Sequence, residues 1–518
     1  MHLPNINITS APDGDGRADT GVAPGAHDRG AVPRLPLMAA ATVALPARTP
    51  PPARSRRAWR EPAWWLFAVL ITFGLVELLV IFGPGAVRHP APLLFAAVLF
   101  GLHGAFLIWI LRRLDYLEPE PVALLAAALA WGGIVATSNA VRANVAADSI
   151  LTKLYPLTFV QQWGPAIEGP TNEEILKSLG IVALILLARR QLNSVMDGVI
   201  FGAFVGIGFQ EVENVVYSLN AVAGAGTNSL SPVWQVFVLR GLLSGLWSHA
   251  VYSAIVGAGI AYAVLRRDRP MTVRVAAAAL GFLGGWSAHF LWNSPLFTDV
   301  LSGAGGGLGT VVSMLIKGGL ILSALLVIIH FARGSEYRSL ASHLYRLDDV
   351  RVAPVGDIRA LRTARTRHTA RWNAYVSGGL VGTRATRRLQ RSQADLASHL
   401  VRVDESPATA SAEYPAIAQA LAQITIARAQ LDPIGIAESD TSRERRTWAG
   451  WLAMMGGAAT IFTPYAIVVP IVLVVWRVRA ARQAHRNADP RLLTGLLIGV
   501  ALLVVWLAFH AVGAARID

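Results

Sequence analysis

Eight apolar runs, near 62–83, 92–112, 121–142, 170–188, 196–220, 233–265, 273–293 and 308–332, fill most of the first two-thirds of the chain. Each is about 18 residues or longer, enough to cross roughly 30 Å of hydrocarbon as a helix. No other feature limits the fold so tightly. In lipid, backbone N–H and C=O groups find partners only inside a helix or a closed barrel, and continuous apolar runs of this length are helical rather than alternating. The charged fraction is 15%, against about 25% in soluble domains. The expected fold is an all-α polytopic membrane protein. It has an eight-helix membrane core, a cytoplasmic helical insertion and about two further C-terminal membrane segments.

Arginine orients the spans. Arg54, Arg56, Arg57 and Arg60 precede the first run. Arg112 and Arg113 follow the second, Arg189 and Arg190 the fourth, and Arg266, Arg267 and Arg269 the sixth. The opposite connections are poorer in arginine, so the positive-inside rule places the N-terminus and the basic loops in the cytoplasm. That accounts for a net charge of +14 without a nucleic-acid partner. Residues 1–61, rich in Pro, Gly and Ala, read as a disordered cytoplasmic tail. The core then spans 62–332. Residues 333–447 read as a cytoplasmic helical insertion, whose arginines meet either solvent or anionic lipid. The C-terminal part, 448–518, holds two more apolar runs, with a basic stretch between them that fits no simple pair of spans. Cysteine is absent, which excludes a thiol nucleophile and Cys-ligated zinc.

Ionisable groups inside these runs are costly, by about 2.5–3.5 kcal/mol at a helix centre, and each is by default a candidate functional group. Four places carry them. In "EGPTNEEILK", Lys177 lies three and four residues beyond Glu174 and Glu173, within reach of both on one helix. The plainer reading is a helix start, with Pro170 near its first position and the acids favouring the dipole. In "DGVIFGAFVGIGFQEVEN", Gly198, Gly202 and Gly206 form a small-residue face for close helix packing. Glu213 lies seven residues past Gly206 on nearly the same face, and Glu211 points elsewhere. His249 stands in "GLWSHAVYSAIVG" with Arg240 upstream. His289 and Asn293 are four apart in "AHFLWN".

With the alternating directions set by charge, these groups fall at similar depths, toward the outer side of four helices. Carboxylates and imidazoles converging in a partly dry pocket suit the activation of water. A glutamate can act as general base, or histidines and a second glutamate can bind zinc and lower the pKa of its water to about 7. A proton-coupled transporter is the alternative use of buried Glu and His, but no internal repeat is visible and the groups lie off the midplane. The zinc-protease signature H-E-x-x-H is missing. "GLLSG" is not a rhomboid-type serine motif, and no G-x-G-D lies in a membrane run.

In order, the chain carries Pro170-x-x-Glu173-Glu174-x-x-Lys177 and then Gly206-x-Gly208-Phe209-x-x-x-Glu213-Asn214. Arg240 and His249 follow, then His289-x-x-Trp292-Asn293. This succession, across about residues 90–335, resembles the PrsW family of intramembrane proteases, related to the CAAX-protease and bacteriocin-processing group. The resemblance implies a peptidase of the cell membrane, of metallo or glutamate type. Its founding members cut a membrane-bound anti-sigma factor on its outer side. It also implies Glu173, Glu174, Glu213, His249 and His289 as catalytic residues, with Glu213, His249 and His289 as ligands of any zinc. Lys177, Asn214, Arg240 and Asn293 would support them. The long tail, the insertion and the extra C-terminal runs depart from the family pattern.

Overall fold

The computed structural model describes residues 62–441, except 115, 116, 118, 119, 188, 190, 191 and 406–409. The expected tail at 1–61 and the C-terminal segments at 448–518 lie outside these residues. Among the described residues the chain is all helix. Its first helices are α1 (Pro62–Arg88), α2 (Pro90–Leu114), α3 (Val122–Ala130), α4 (Thr137–Leu154), α5 (Leu157–Leu187) and α6 (Val195–Gly224). Then come α7 (Ser231–Val236), α8 (His249–Leu265), α9 (Met271–Asn293) and α10 (Thr298–Arg346).

Seven of the described helical segments are long and apolar enough to cross a membrane, the third being α3 and α4 joined through a π-helical turn at Trp131–Ala136. The one expected span outside these seven is the fourth, α5, whose apolar stretch is interrupted by Glu173, Glu174 and Lys177, all buried. The chain is therefore a multi-pass membrane protein built of helices. The long 233–265 run is two pieces. A π-helical segment, Phe237–Leu243, and a 3-10 turn, Gly245–Trp247, separate α7 from α8.

Two local expectations fail. The stretch 143–165, expected as the connection between the third and fourth apolar runs, is helical through Leu154 and again from Leu157, with only Tyr155 and Pro156 between. Proline forces the residue before it out of the helical region, and Tyr155 is accordingly extended (φ −129°, ψ 156°). Polar residues beyond Arg142 lowered the hydropathy without ending the helix. The second failure is Pro170 as a helix start. α5 begins at Leu157 and carries Pro165 and Pro170 inside it, so Glu173 and Glu174 are interior residues and not first-turn acids.

α6 is the central helix, buried without a break from Met196 to Gln210. A capping box starts it: Ser194 Oγ accepts from Asp197 N, and Asp197 Oδ2 accepts from Ser194 N at 2.9 Å. The glycine face meets α8 at backbone distance. A Cβ at Gly198 would strike the Gly257 carbonyl, at Gly202 the Ser253 carbonyl, and at Gly206 the His249 carbonyl. These obstacles are backbone, which cannot rotate aside. Gly202→Ala is therefore expected to destabilise the protein by about 1–3 kcal/mol through overpacking. A fall in the thermal unfolding midpoint of the detergent-solubilised protein checks this.

α10 continues past its apolar part into a second helical body with α11 (Val355–Ala360), α12 (Ala364–Glu405) and α13 (Ala410–Leu431). Leu340, Leu344, Ile358, Leu389, Leu396, Ile424 and Leu431 form its core, with Leu117 from the α2–α3 connection. Arg333 Nη2 also donates to the Leu114 carbonyl at 2.8 Å. This body is thus seated at the end of α2 that carries Arg112 and Arg113. Buried Asp357 ties it together, accepting from Arg428, from Gln393 Nε2 at 2.9 Å and from Ser439 N at 2.7 Å.

Candidate active site

Successive residues of a helix point about 100° apart, and this separates the surroundings of the two adjacent acids on α5. Glu174 has no exposed surface. Its Oε1 accepts from Lys177 Nζ at 2.6 Å and from His289 Nδ1 at 2.9 Å. Lys177, equally buried, also lies 3.0 Å from His249 Nδ1 and 4.6 Å from the centre of the Phe209 ring, a favourable cation–π placement. One lysine thus binds α5 to the first residue of α8.

Glu173 faces a different way. Its Oε1 accepts from Asn144 Nδ2 at 3.0 Å, and Asn144 Oδ1 accepts from Asn172 Nδ2 at 3.0 Å. Its Oε2 is buried and accepts no hydrogen bond from the described residues. That oxygen stands 3.7 Å from His249 Nδ1 and 3.9 Å from His289 Nε2. A buried acceptor left bare costs roughly 1–3 kcal/mol, more if charged, so this atom is held for something other than packing.

On α6, Glu213 pairs with Arg240 and lies 3.0 Å from His249 Nε2. Arg240 Nε donates to Asn214 Oδ1 at 2.7 Å, and the guanidinium covers the Tyr217 ring at 3.9 Å. His289 stacks on the Tyr252 ring at 4.9 Å and meets the His249 ring edge-on at 4.9 Å. Asn293 Nδ2 lies 3.2 Å from His289 Nε2 and donates to the Pro165 carbonyl at 3.0 Å, joining the end of α9 to α5. The nine residues singled out in the sequence thus meet in one place, although they come from four separate stretches of chain.

A cavity of about 120 Å³ opens there, lined among others by Glu173, Glu213, Arg240, His249, His289 and Asn293. It has room for several water molecules. Glu174 and Lys177 stand behind this wall. Lys177 Nζ stands 3.0 Å from His249 Nδ1 and Glu213 3.0 Å from its Nε2, so a metal taking His249 Nδ1 would displace the lysine contact. His289 gives its Nδ1 proton to Glu174 and turns the Nε2 lone pair to the cavity. A carboxylate behind a histidine is also how metal-binding imidazoles are commonly oriented.

The residues fit a metal ion. One donor atom each from Glu173, His249 and His289 lie within 4.8 Å of one another, and the set of two nitrogens and a carboxylate oxygen suits zinc. The sequence reading gave the third ligand place to Glu213. In the structure an oxygen of Glu173 groups with the two histidines, while Glu213 is turned to Arg240 and to the far nitrogen of His249. Spacing along α6 set the face of Glu213 but not its partner, and Arg240 lies 27 residues away in the chain.

Three neighbours were missed. Asn144 sits beyond the point where α4 was expected to end, and being uncharged it gave no signal. Glu168 lines the same cavity but belonged to no periodic pattern. Glu211 points elsewhere, as expected, and pairs with His103 of α2 at 2.9 Å, and Gln210 Nε2 links that pair to the Gly245 carbonyl at 3.3 Å. Lysine is rare inside spans, yet Lys317 of α10 is buried and donates to the Ser294 carbonyl at 2.6 Å, holding the end of α9 beside Asn293.

Residues 120–321 match the sequence model of the PrsW family intramembrane metalloproteases. The matched stretch holds every residue that lines the cavity, while His103 lies before it. No curated protein and no solved structure gives a significant match to the chain.

Proposed function

We propose that this membrane protein, whose residues 120–321 match the PrsW intramembrane metalloproteases, is itself a peptidase that cuts membrane-bound proteins at the cavity between α5, α6, α8 and α9. The observation that carries the reading is the bare Oε2 of Glu173, buried between two imidazole nitrogens. An atom so placed meets a water molecule directly or through an ion. Zinc held by Glu173, His249 and His289 would supply a water acidic near neutral pH and polarise the scissile carbonyl.

The other groups have distinct tasks. Glu174 fixes the His289 ring with its lone pair toward the cavity. Lys177 neutralises Glu174 and anchors His249. Arg240 and Asn293, both lining the cavity, are donors in a water-poor site, where such groups stabilise a developing oxyanion far better than in bulk water. Glu213 holds Arg240 in place and accepts from His249. The substrate class is a membrane protein with a single span, such as an anti-sigma factor. The arginine-poor connections lie on the outer side, and the cut falls near that face.

Incubation of the reconstituted protein with a single-span anti-sigma substrate tests this. The expected result is two fragments whose mass places the cut near the outer end of the span. Zinc should copurify with the wild type and be lost from His289→Ala, as elemental analysis reads directly. Cleavage that survives complete metal removal assigns the glutamate type instead. Solute uptake by liposomes with no fragment from any single-span substrate overturns the peptidase reading in favour of transport.

A further inference from the structure

The second helical body carries a segment that the proteolytic reading does not use. Residues 358–394 contain nine arginines and no aspartate or glutamate. They cover the second half of α11, the first half of α12 and more than half of the part beyond its break. α12 is not one rod: Gly378 and Gly379 leave helical geometry, Gly379 with φ +58°. The two halves fold back on each other. Arg371 Nε donates to Gln390 Oε1 at 2.7 Å, and Gln390 Nε2 donates to the Arg367 carbonyl at 3.3 Å.

The tip of this hairpin is apolar and exposed. Leu380 is 63% exposed and Val381 59%, beside Tyr375 and Val376. Trp372 stacks on Tyr375 at 5.5 Å. Directly behind the tip, Arg384, Arg387, Arg388 and Arg391 recur at three- and four-residue spacing, which places them on one helix face. All four are exposed. Among the described residues no carboxylate pairs with them, and Arg388 bonds only the uncharged Gln430. An apolar tip followed by a stripe of arginine is the pattern of an element that enters the headgroup region of a bilayer.

The chain path brings a bilayer within reach. The body sits at the basic end of α2 and continues directly from α10. The last described residues run beside the hairpin: Asn373 Nδ2 donates to the Asp440 carbonyl at 2.7 Å, and Ile434 packs on Gly378 and Gly382. Seven residues after Thr441 the sequence enters 448–476, which holds no charged residue. Seven residues of chain extend at most about 25 Å.

We propose that the α12 hairpin is a docking element for an anionic membrane surface, with Tyr375, Val376, Leu380 and Val381 entering the interface and the four arginines binding headgroup phosphates. The partner is the lipid itself. This places the second body against the bilayer, so that its position depends on lipid charge.

The absence of cysteine makes the test direct. Leu380→Cys in the full chain accepts a single spin label, and the labelled protein is reconstituted into nanodiscs of phosphatidylcholine alone or mixed with phosphatidylglycerol. The expected result is protection from a water-soluble relaxation agent, together with access to oxygen, only in the anionic discs. Replacing Arg384, Arg387, Arg388 and Arg391 together by Gln should lower the ratio of docked to free tip by about 600-fold, since each arginine near such a surface contributes roughly fivefold. Thermal unfolding of the variant should be unchanged. A label that stays open to water in both discs overturns the proposal. So does protection that is equal in both discs and survives the four substitutions, because the tip is then covered by protein.

Discussion

Glu173→Gln is expected to reduce kcat/KM for peptide cleavage by about 10²–10⁴-fold, the range for loss of a positioned proton acceptor, while leaving the fold intact or slightly firmer. The amide has the same shape and still accepts from Asn144, so packing is preserved. It carries no charge at a position where Oε2 has no hydrogen-bonding partner, and removing such a charge relieves a desolvation cost. Activity and stability should therefore move apart, the usual sign that a site has been kept at the expense of stability. A cleavage assay and a thermal unfolding curve on the same preparation check both arms. Glu173→Asp sharpens the test: it keeps the charge but withdraws it by one methylene, and a displacement of about 1 Å can cost 10²-fold. Wild-type cleavage by Glu173→Gln would remove Glu173 from the chemistry.

Lys177→Met should be the most damaging change to the fold. Lys177 and Glu174 are both fully buried and 2.6 Å apart. Removing one member of a buried pair strands the other charge at a cost of about 3–5 kcal/mol. The same change removes the contact of Lys177 with His249 Nδ1, so the imidazole loses a positioning partner as well. Met fills the volume but cannot replace either bond. Pairing Lys177→Met with Glu174→Gln removes both charges, and most of the lost stability should return. Activity should not return with it, because His289 then loses its carboxylate partner. The double-mutant cycle, read by unfolding in detergent, isolates the pairwise term. A single mutant as stable as wild type would mean that Glu174 is neutral and the pair carries no charge.

The spans and the class of the protein follow from hydropathy, because each helix satisfies its own backbone and hydrocarbon tolerates nothing else. The costly residues were equally legible: a Glu or His inside an apolar run announces itself by its expense, and the ordered motifs that carry Glu173, Glu174, Lys177, Glu213, Arg240, His249 and His289 resemble those of one family. The glycine face of α6 was visible for a related reason, since period-four small residues can only invite a close neighbour. Boundaries were less legible. Polar residues such as Asn144 lowered hydropathy where α4 continued, and Pro170 resembled a helix start although α5 passes straight through it.

What only the tertiary structure decided is which atom faces which. Periodicity gives the face of a helix but not the rotation of its neighbour. It could not tell that Glu174 turns one oxygen to Lys177 and His289 while the bare oxygen of Glu173 lies between two imidazole nitrogens, or that an oxygen of Glu173, rather than of Glu213, groups with the two histidines. Those assignments depend on side chains from five helices meeting within a few ångströms. The distances arise from backbone approach at Gly198, Gly202 and Gly206 and from the break before His249, and neither can be computed from spacing along a single strand of sequence.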